Sequence, residues 1–388
     1  MSEAPRLLVI GGVAAGGSCA ARARRLQEKA EITIVERGPD VSFANCGLPY
    51  HIGGEVGGRD APGVQAPPGL RGTLNLDLRT LCEATRIDRA GKRVEVRNLA
   101  NGSTEWIAYD KLLLAPGASP LRPALPGIDD PRILTLRNLQ DMDRICAAAA
   151  SGSRAVVIGA GFIGIEMSEQ LHAREIAVHL VELQAQVFPQ LDAPMTALLE
   201  SELRHHGIDV LLGDGIAGFE PGNDKLLCRL NSGKVIEADF VVLSIGVQPD
   251  TAIAQDAGLE LGPRGHIVVD AFMRTSDPDI YAAGDAVQTR DRIAEAPTSV
   301  PMGGPANRQG RVAADHMFMP ERAQAYPGSL GTAIVRAFNV AAGLTGWSEK
   351  RLAATGRAFQ TVTVNDHQHA TYFPGAKPLT LKIVWDAK

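Results

Sequence analysis

The chain has 388 residues, enough for two or three domains and a core that needs no disulfide or metal staple. Apolar residues make up 45% and charged residues 21%, which excludes disordered and fibrous classes. Lys and Arg number 39 against 44 Asp and Glu, a net charge of −5, which excludes a general nucleic-acid coat and leaves room only for a local basic patch.

The N-terminus imitates a signal peptide. Arg6 precedes Leu7, Leu8, Val9 and Ile10, and small residues lead to Cys19. The apolar part is about six residues, shorter than the h-region of a leader. A lipoprotein signal would want an aliphatic residue where Gly16 stands. The segment is therefore expected to be a strand and a turn.

Residues 6–37 and 154–182 repeat one pattern: aliphatic strand, glycine-rich turn, helix-compatible stretch, second aliphatic strand, Glu. This is a βαβ unit with a dinucleotide fingerprint. Its glycines let the backbone approach a pyrophosphate at a helix N-terminus. Its Glu, Glu36 or Glu182, can accept from a ribose hydroxyl. Gly159, Gly161 and Gly164 match G-x-G-x-x-G in full. The first copy, on Gly11 and Gly16, has Val13 at the middle position. Glu182 predicts NADH over NADPH, because a carboxylate repels a 2′-phosphate.

Arg22, Arg25 and Lys29 follow the first turn at i, i+3, i+7, one face of a continuing helix. A solvated face is the plain account; a phosphate patch joined by Arg71 is the sharper one. Next comes Ser42 to Tyr50, SFANCGLPY. Pro49 suits a first helical turn, which places Cys46 just before a helix N-terminus, where the dipole favours thiolate. The alternative is a buried small hydrophobe. Residues 51–72, rich in Gly and Pro, read as a loop. Residues 93–114 read as a meander ending in a strand at 111–115, and residues 208–243 hold strand-like runs. Residues 280–282 read as a strand entering Gly284 and Asp285, followed by a helix from about Gly304 to Met317. Tyr326 onward, 63 residues with strand-like runs at 332–339, 358–365 and 379–385, read as a separate unit.

The five cysteines are odd in number, widely spaced and free of C-x-x-C. They predict neither a disulfide framework nor a zinc site, and they fit a reducing, cytoplasmic compartment. Cys19, Cys82, Cys146 and Cys228 have no acid, base or glycine turn that marks chemistry. No H-x-x-x-H pair, G-x-S-x-G or Walker turn occurs, and His367 and His369 read as surface or interface. No apolar run approaches the roughly 18 residues of a membrane span.

On these residues the chain resembles the coenzyme A-disulfide reductase and persulfide reductase branch of the FAD-dependent pyridine nucleotide-disulfide oxidoreductases. The most specific element is SFANCGLPYHIGG at 42–54. YDKLLLAPGA at 109–118, LRN at 136–138, GAGFIG at 159–164, IGVQPDT at 245–251, YAAGDA at 281–286 and GPANRQGR at 304–311 follow in order. The resemblance implies an α/β fold with two Rossmann-like nucleotide-binding domains and a shortened C-terminal α+β interface domain. Residues 1–118 with 247–322 would bind FAD, 119–246 NADH, and 323–388 would serve dimerisation. It implies Gly11, Gly16, Glu36, Arg37, Asp285 and Met302 at FAD. Gly159, Gly161, Phe162, Gly164, Glu166 and Glu182 would meet NADH, Phe162 covering the nicotinamide pocket and Glu166 beside it. Arg22, Arg25, Ser42, Asn45 and Arg71 would contact coenzyme A. Cys46 matches the redox cysteine, and Tyr372 a tyrosine that reaches the partner subunit's cysteine in a homodimer.

Relatives with an internal disulfide use C-x-x-x-x-C; here the fifth residue after Cys46 is His51. Oxidised Cys46 would then be a mixed disulfide with an external thiol or a sulfenic acid. Oxidases and peroxidases of the family carry a histidine where this chain has Ala14, which favours thiol chemistry. The resemblance implies an interface domain about twice as long as the 63 residues here, a second tyrosine beyond Lys388 and, in many relatives, a rhodanese domain; the expectation is either a truncated form or a different active site. The expected activity is NADH-driven reduction of coenzyme A disulfide or persulfide. The alternatives are an oxygen-reducing NADH oxidase and a non-catalytic redox-sensing flavoprotein. No metal, nucleic-acid or membrane partner is expected.

Overall fold

The computed structural model describes residues 4–65 and 67–386. Each fingerprint opens with a strand, Arg6–Ile10 or Arg154–Ile158, buried from its second residue onward. Continuous burial is what a parallel strand covered on both faces requires, and aliphatic side chains supply it. Arg6–Ile10 lies in a parallel five-stranded sheet in the order Ile280–Ala282, Lys111–Leu114, Arg6–Ile10, Glu31–Val35, Asp77–Arg79. Arg154–Ile158 lies in a second one, ordered Asp209–Leu212, Ala177–Glu182, Arg154–Ile158, Phe240–Leu243, Ile133–Leu134. The fold is α/β with two Rossmann-like units. Each fingerprint strand is central, and chain order reverses beside it. That is the switch point where an open α/β sheet collects ligands.

Antiparallel meanders, Cys82–Asp88 to Thr104–Ala108 and Ile216–Pro221 to Val235–Ala238, flank the two sheets. Strands Ala118–Pro120 and Val247–Pro249 pair antiparallel, so the chain leaves the first unit and returns to it side by side.

The C-terminal region has a hairpin Ala333–Ala337/Val340–Leu344, a short helix Glu349–Ala353 and a second hairpin Phe359–His367/Pro378–Asp386. Two buried aspartates hold it. Asp192 accepts from the Glu349 amide at 3.0 Å, the Lys350 amide at 3.1 Å and Lys382 at 3.0 Å. Asp291 accepts from Trp347 Nε1 and from Arg351, each at 2.8 Å. One face of the second hairpin points outward with Val362, Val364, Leu379, Leu381, Ile383 and Trp385 exposed.

Three local expectations change. The 51–72 stretch contains the second half of helix Leu48–Gly53 and most of helix Pro67–Leu74. Prolines are tolerated in a first turn, whose N–H groups have no intrahelical partner. The first fingerprint helix ends at Leu26, so Lys29 lies beyond it and does not share a helical face with Arg22 and Arg25. The C-terminal region gains strand Val340–Leu344 and helix Glu349–Ala353, both short and weakly patterned.

Candidate active site

The two glycine turns are built alike. Gly11 and Gly159 share a φ of +96°, which an L side chain adopts only with strain. A Cβ on Gly16 or Gly164 would stand 1.8 Å from the carbonyl oxygen of Gly11 or Gly159, so both helices need glycine to pack on their turns. The middle position differs. Gly161 has φ −81° and Val13 φ −95°, both open to ordinary residues. Backbone geometry therefore does not demand glycine at Val13, whose side chain packs on the core.

The two glutamates also act alike. Glu36 accepts from the amides of Gly12 and Gly38, both at 2.8 Å. Glu182 accepts from Ala160 at 2.7 Å and Gln184 at 2.8 Å. Each brace leaves carboxylate lone pairs for further donors. Arg37 is exposed, 3.9 Å from Asp250.

Cys46 sits in the 3-10 turn Asn45–Gly47 that runs into helix Leu48–Gly53. It is exposed; the other four cysteines are buried or half-buried. Burial pushes the Cys19 and Cys228 thiols up to about 12 and raises those of Cys82 and Cys146. Neighbouring bonds hold the Cys46 segment. Ser42, at φ +52°, donates its amide to Gly12 O of the first turn at 3.0 Å. Ala44 donates to Pro62 O at 2.7 Å. Asn45 Nδ2 donates to Arg137 O at 2.7 Å.

Helix Leu48–Gly53 also meets the second unit. Leu48 and Ile52 share an apolar cluster with Ile165, Met167 and Leu171 of helix Phe162–His172. A Cβ on Gly53 would reach within 1.8 Å of Gln170 Oε1 and 3.0 Å of its Cβ, so the helices approach through this glycine. Tyr50 donates its hydroxyl to Glu166 Oε1 at 3.3 Å. Burial pushes the Glu166 carboxyl up to about 7 against the lowering effect of that bond. Phe162 opens the helix and stacks edge-on against Phe188 at 4.8 Å. The structure thus brings Cys46, the first turn and the second-unit helix together.

Asp285 follows strand Ile280–Ala282. Burial raises its carboxyl, the Arg137 charge opposes this, and no hydrogen bond from a described residue reaches it. Met302 caps helix Gly303–Phe318 in extended conformation, and added Cβ atoms on Gly303 and Gly304 would meet nothing within 4 Å. Arg22 pairs with Asp315 at 2.6 Å. Arg25 is exposed, and so is Arg71, which donates to Leu78 O at 2.9 Å. Tyr372, 88% exposed, lies between the second-hairpin strands and is open to solvent. Sequence reasoning missed the roles of Arg137, Tyr50 and Arg336. Only LRN at 136–138 and the motif around Cys46 drew attention to the first two.

Residues 5–303 match the family described as pyridine nucleotide-disulphide oxidoreductase. The chain belongs to that family. It is 31% identical over 384 residues to a coenzyme A disulfide reductase of Staphylococcus aureus, covering 98% of this chain and 85% of the relative. It is 29% identical to an NADH oxidase of Enterococcus faecalis, with the same coverage. The solved structure of reduced Bacillus anthracis CoADR-RHD superposes with a TM-score of 0.96 at 41% identity, over 99% of this chain and 69% of that one. A NAD-dependent persulfide reductase from A. fulgidus gives 0.95 at 35%, over 98% and 71%.

Membership makes the chain an oxidoreductase and implies FAD and NAD(H). The residues present fit both groups: open space at Gly161, Gly303 and Gly304, and a half-buried carboxylate on Asp285 that no hydrogen bond from a described residue reaches. Among the described residues no helix is long and apolar enough to cross a membrane, and no cluster could hold a metal ion.

Proposed function

We propose that the chain is an FAD-dependent, NADH-driven reductase of coenzyme A disulfide or coenzyme A persulfide, acting through Cys46. The supporting observation is the placement of the single exposed cysteine where the first glycine turn and the second-unit helix meet. Residues 1–118 and 247–322 form the FAD domain, 119–246 the NADH domain and 323–388 a dimerisation domain. Gly11, Gly16, Glu36, Arg37, Asp285 and Met302 hold FAD; Gly159, Gly161, Phe162, Gly164, Glu166 and Glu182 hold NADH. FAD, when bound, supplies two-electron transfer from NADH to sulfur.

Cys46 as thiolate attacks one sulfur of the disulfide. A Cys46–S–S–coenzyme A bond forms, and the first thiol leaves. Two electrons from NADH cleave that bond, and with a proton they release the second thiol and restore the thiolate. With persulfide the same exchange releases hydrogen sulfide. Ser42 and Asn45 orient the Cys46 turn. Arg25 and Arg71, both exposed, position the phosphates of coenzyme A in this reading, which contributes alignment rather than chemistry. Arg22 joins them only by sharing its pairing with Asp315. Tyr372, exposed on the hairpin, would reach the Cys46 site of a second subunit, and the exposed apolar face beside it would be covered in that homodimer. The compartment is cytoplasmic, in keeping with five free cysteines.

The similarity to an NADH oxidase supports a second reading, oxygen reduction. Cys46→Ser separates the two. It should retain yellow flavin and NADH binding and lose disulfide and persulfide turnover by roughly a thousandfold. Full retained turnover overturns the proposal. Stoichiometric oxygen consumption without added thiol, as fast as disulfide reduction, favours the oxidase.

A further inference from the structure

Strand Ala333–Ala337 of the C-terminal hairpin sends one arginine between the two helices that meet near Cys46. Arg336 pairs with Glu169 at 2.9 Å and also with Glu55. Its guanidinium carbon stands 5.0 Å from the Tyr50 ring centre, a cation–π contact. Tyr50 donates to Glu166. One cluster therefore joins the Cys46 helix, the second glycine-turn helix and the C-terminal hairpin. The apolar core beneath is continuous too, since Leu48, Ile165 and Val335 share it. Glu169 Oε2, Gln170 Oε1 and Arg336 Nε are buried without a hydrogen-bond partner among the described residues. In such surroundings charges act on each other strongly.

The charged and titratable groups acting on Glu166 are Tyr50 from the Cys46 helix, Glu169 from its own helix and Arg336 from the hairpin, with Glu55 behind Arg336. After burial, which raises the carboxyl, Tyr50 lowers it by hydrogen bonding, Glu169 raises it and Arg336 lowers it. Oxidised nicotinamide carries a positive ring charge and reduced nicotinamide does not. A carboxylate facing the ring therefore favours the oxidised form.

We propose that Arg336 is a positioning residue: by seating Tyr50 against Glu166 and neutralising Glu169, it ties the charge of Glu166, and with it NAD+ affinity, to docking of the C-terminal hairpin. This rests on the proposed reading that the second glycine turn holds the nicotinamide nucleotide with Glu166 beside its ring.

The test is calorimetric titration of NAD+ into the flavin-loaded protein from about pH 5.5 to about 8.5, which requires no sulfur acceptor. Wild-type affinity should rise with pH around a midpoint near 7, as Glu166 loses its proton. Arg336→Met should move that midpoint up by about one unit. Arg336→Lys should return it most of the way, and Glu166→Gln should abolish it. Tyr50→Phe should also move it up, and this carries the test if Arg336→Met does not fold. Equal weakening at every pH with an unmoved midpoint overturns the role of Arg336 and leaves the nucleotide assignment standing, as does a midpoint that survives Glu166→Gln. Failure of wild-type protein to bind NAD+ overturns both.

Discussion

Glu36 and Glu182 brace their turns with the same pair of bonds, from one amide inside the turn and one just past the second strand. Each bond has an ionised acceptor, the stronger kind. Glu182→Ala should therefore loosen the second turn and, on the proposed NADH reading, remove the proposed ribose acceptor as well. NADH affinity should fall roughly tenfold, about 1.4 kcal/mol, with flavin content unchanged. Isothermal titration beside the visible flavin spectrum checks both parts; a fall in flavin content would show that the two turns are not independent. Both glutamates were legible in the sequence because their distance from the glycines is set by one strand–helix–strand passage. The donors they bind were not, because amide direction is a property of the folded turn. Cys46 was legible as a candidate; its exposure, against the burial of Cys19, Cys82 and Cys228, required the packed fold.

Helices Ala14–Leu26 and Gly303–Phe318 cross so closely that a Cβ on Gly310 would lie 2.2 Å from the Ala15 carbonyl oxygen and 3.2 Å from the Cys19 amide. Both atoms are backbone and cannot swing aside. Arg22 to Asp315 and Ser18 to Asn307, at 2.6 and 2.7 Å, stitch the same crossing. Gly310→Ala should cost about 1–3 kcal/mol and lower Tm by several degrees, because overpacking forces a helix shift. The displaced helix carries the first turn, so thermal melts should also show flavin lost before the sheets unfold. An unchanged Tm would mean that the crossing relaxes freely. The long helix was readable from its composition, within a residue or so at either end. The Pro67–Leu74 helix was not, since two prolines and two glycines in eight residues argue locally for a loop.

Docking of the C-terminal region depends on Asp192 and Asp291, which tie it to different parts of the molecule. Burial works to raise the Asp192 carboxyl, but Lys382 and the Lys350 and Glu349 amides overcome it and hold it below the usual range. Asp291 is likewise held low against burial by the Ala294 amide, the Trp347 indole, the Ile293 amide and Arg351. A carboxyl depressed in the folded state contributes in full above its unfolded pKa, about 3.9, and the contribution is lost as pH falls through the folded value. Amide exchange protection across 333–386 should therefore collapse in acid before that of the parallel sheets. Asp192→Asn and Asp291→Asn should each weaken it already at neutral pH. Simultaneous loss in both regions would show that the C-terminal region has no separate electrostatic anchor. None of these pairs was visible in the chain order: Asp192 and Lys382 are 190 positions apart and Asp291 and Arg351 are 60 apart.

Local chemistry along the chain was enough to establish two dinucleotide fingerprints, a cysteine without a C-x-x-x-x-C mate, and the α/β class. Strand burial, turn glycines and helix lengths are short-range properties that leave a periodic trace. Long-range closure settled the rest. It brought Tyr50 to Glu166, Arg336 to Glu169 and Asp285 into the neighbourhood of Arg137. Such contacts depend on how separately formed units pack, and side-chain charge leaves no periodic record of its future partner.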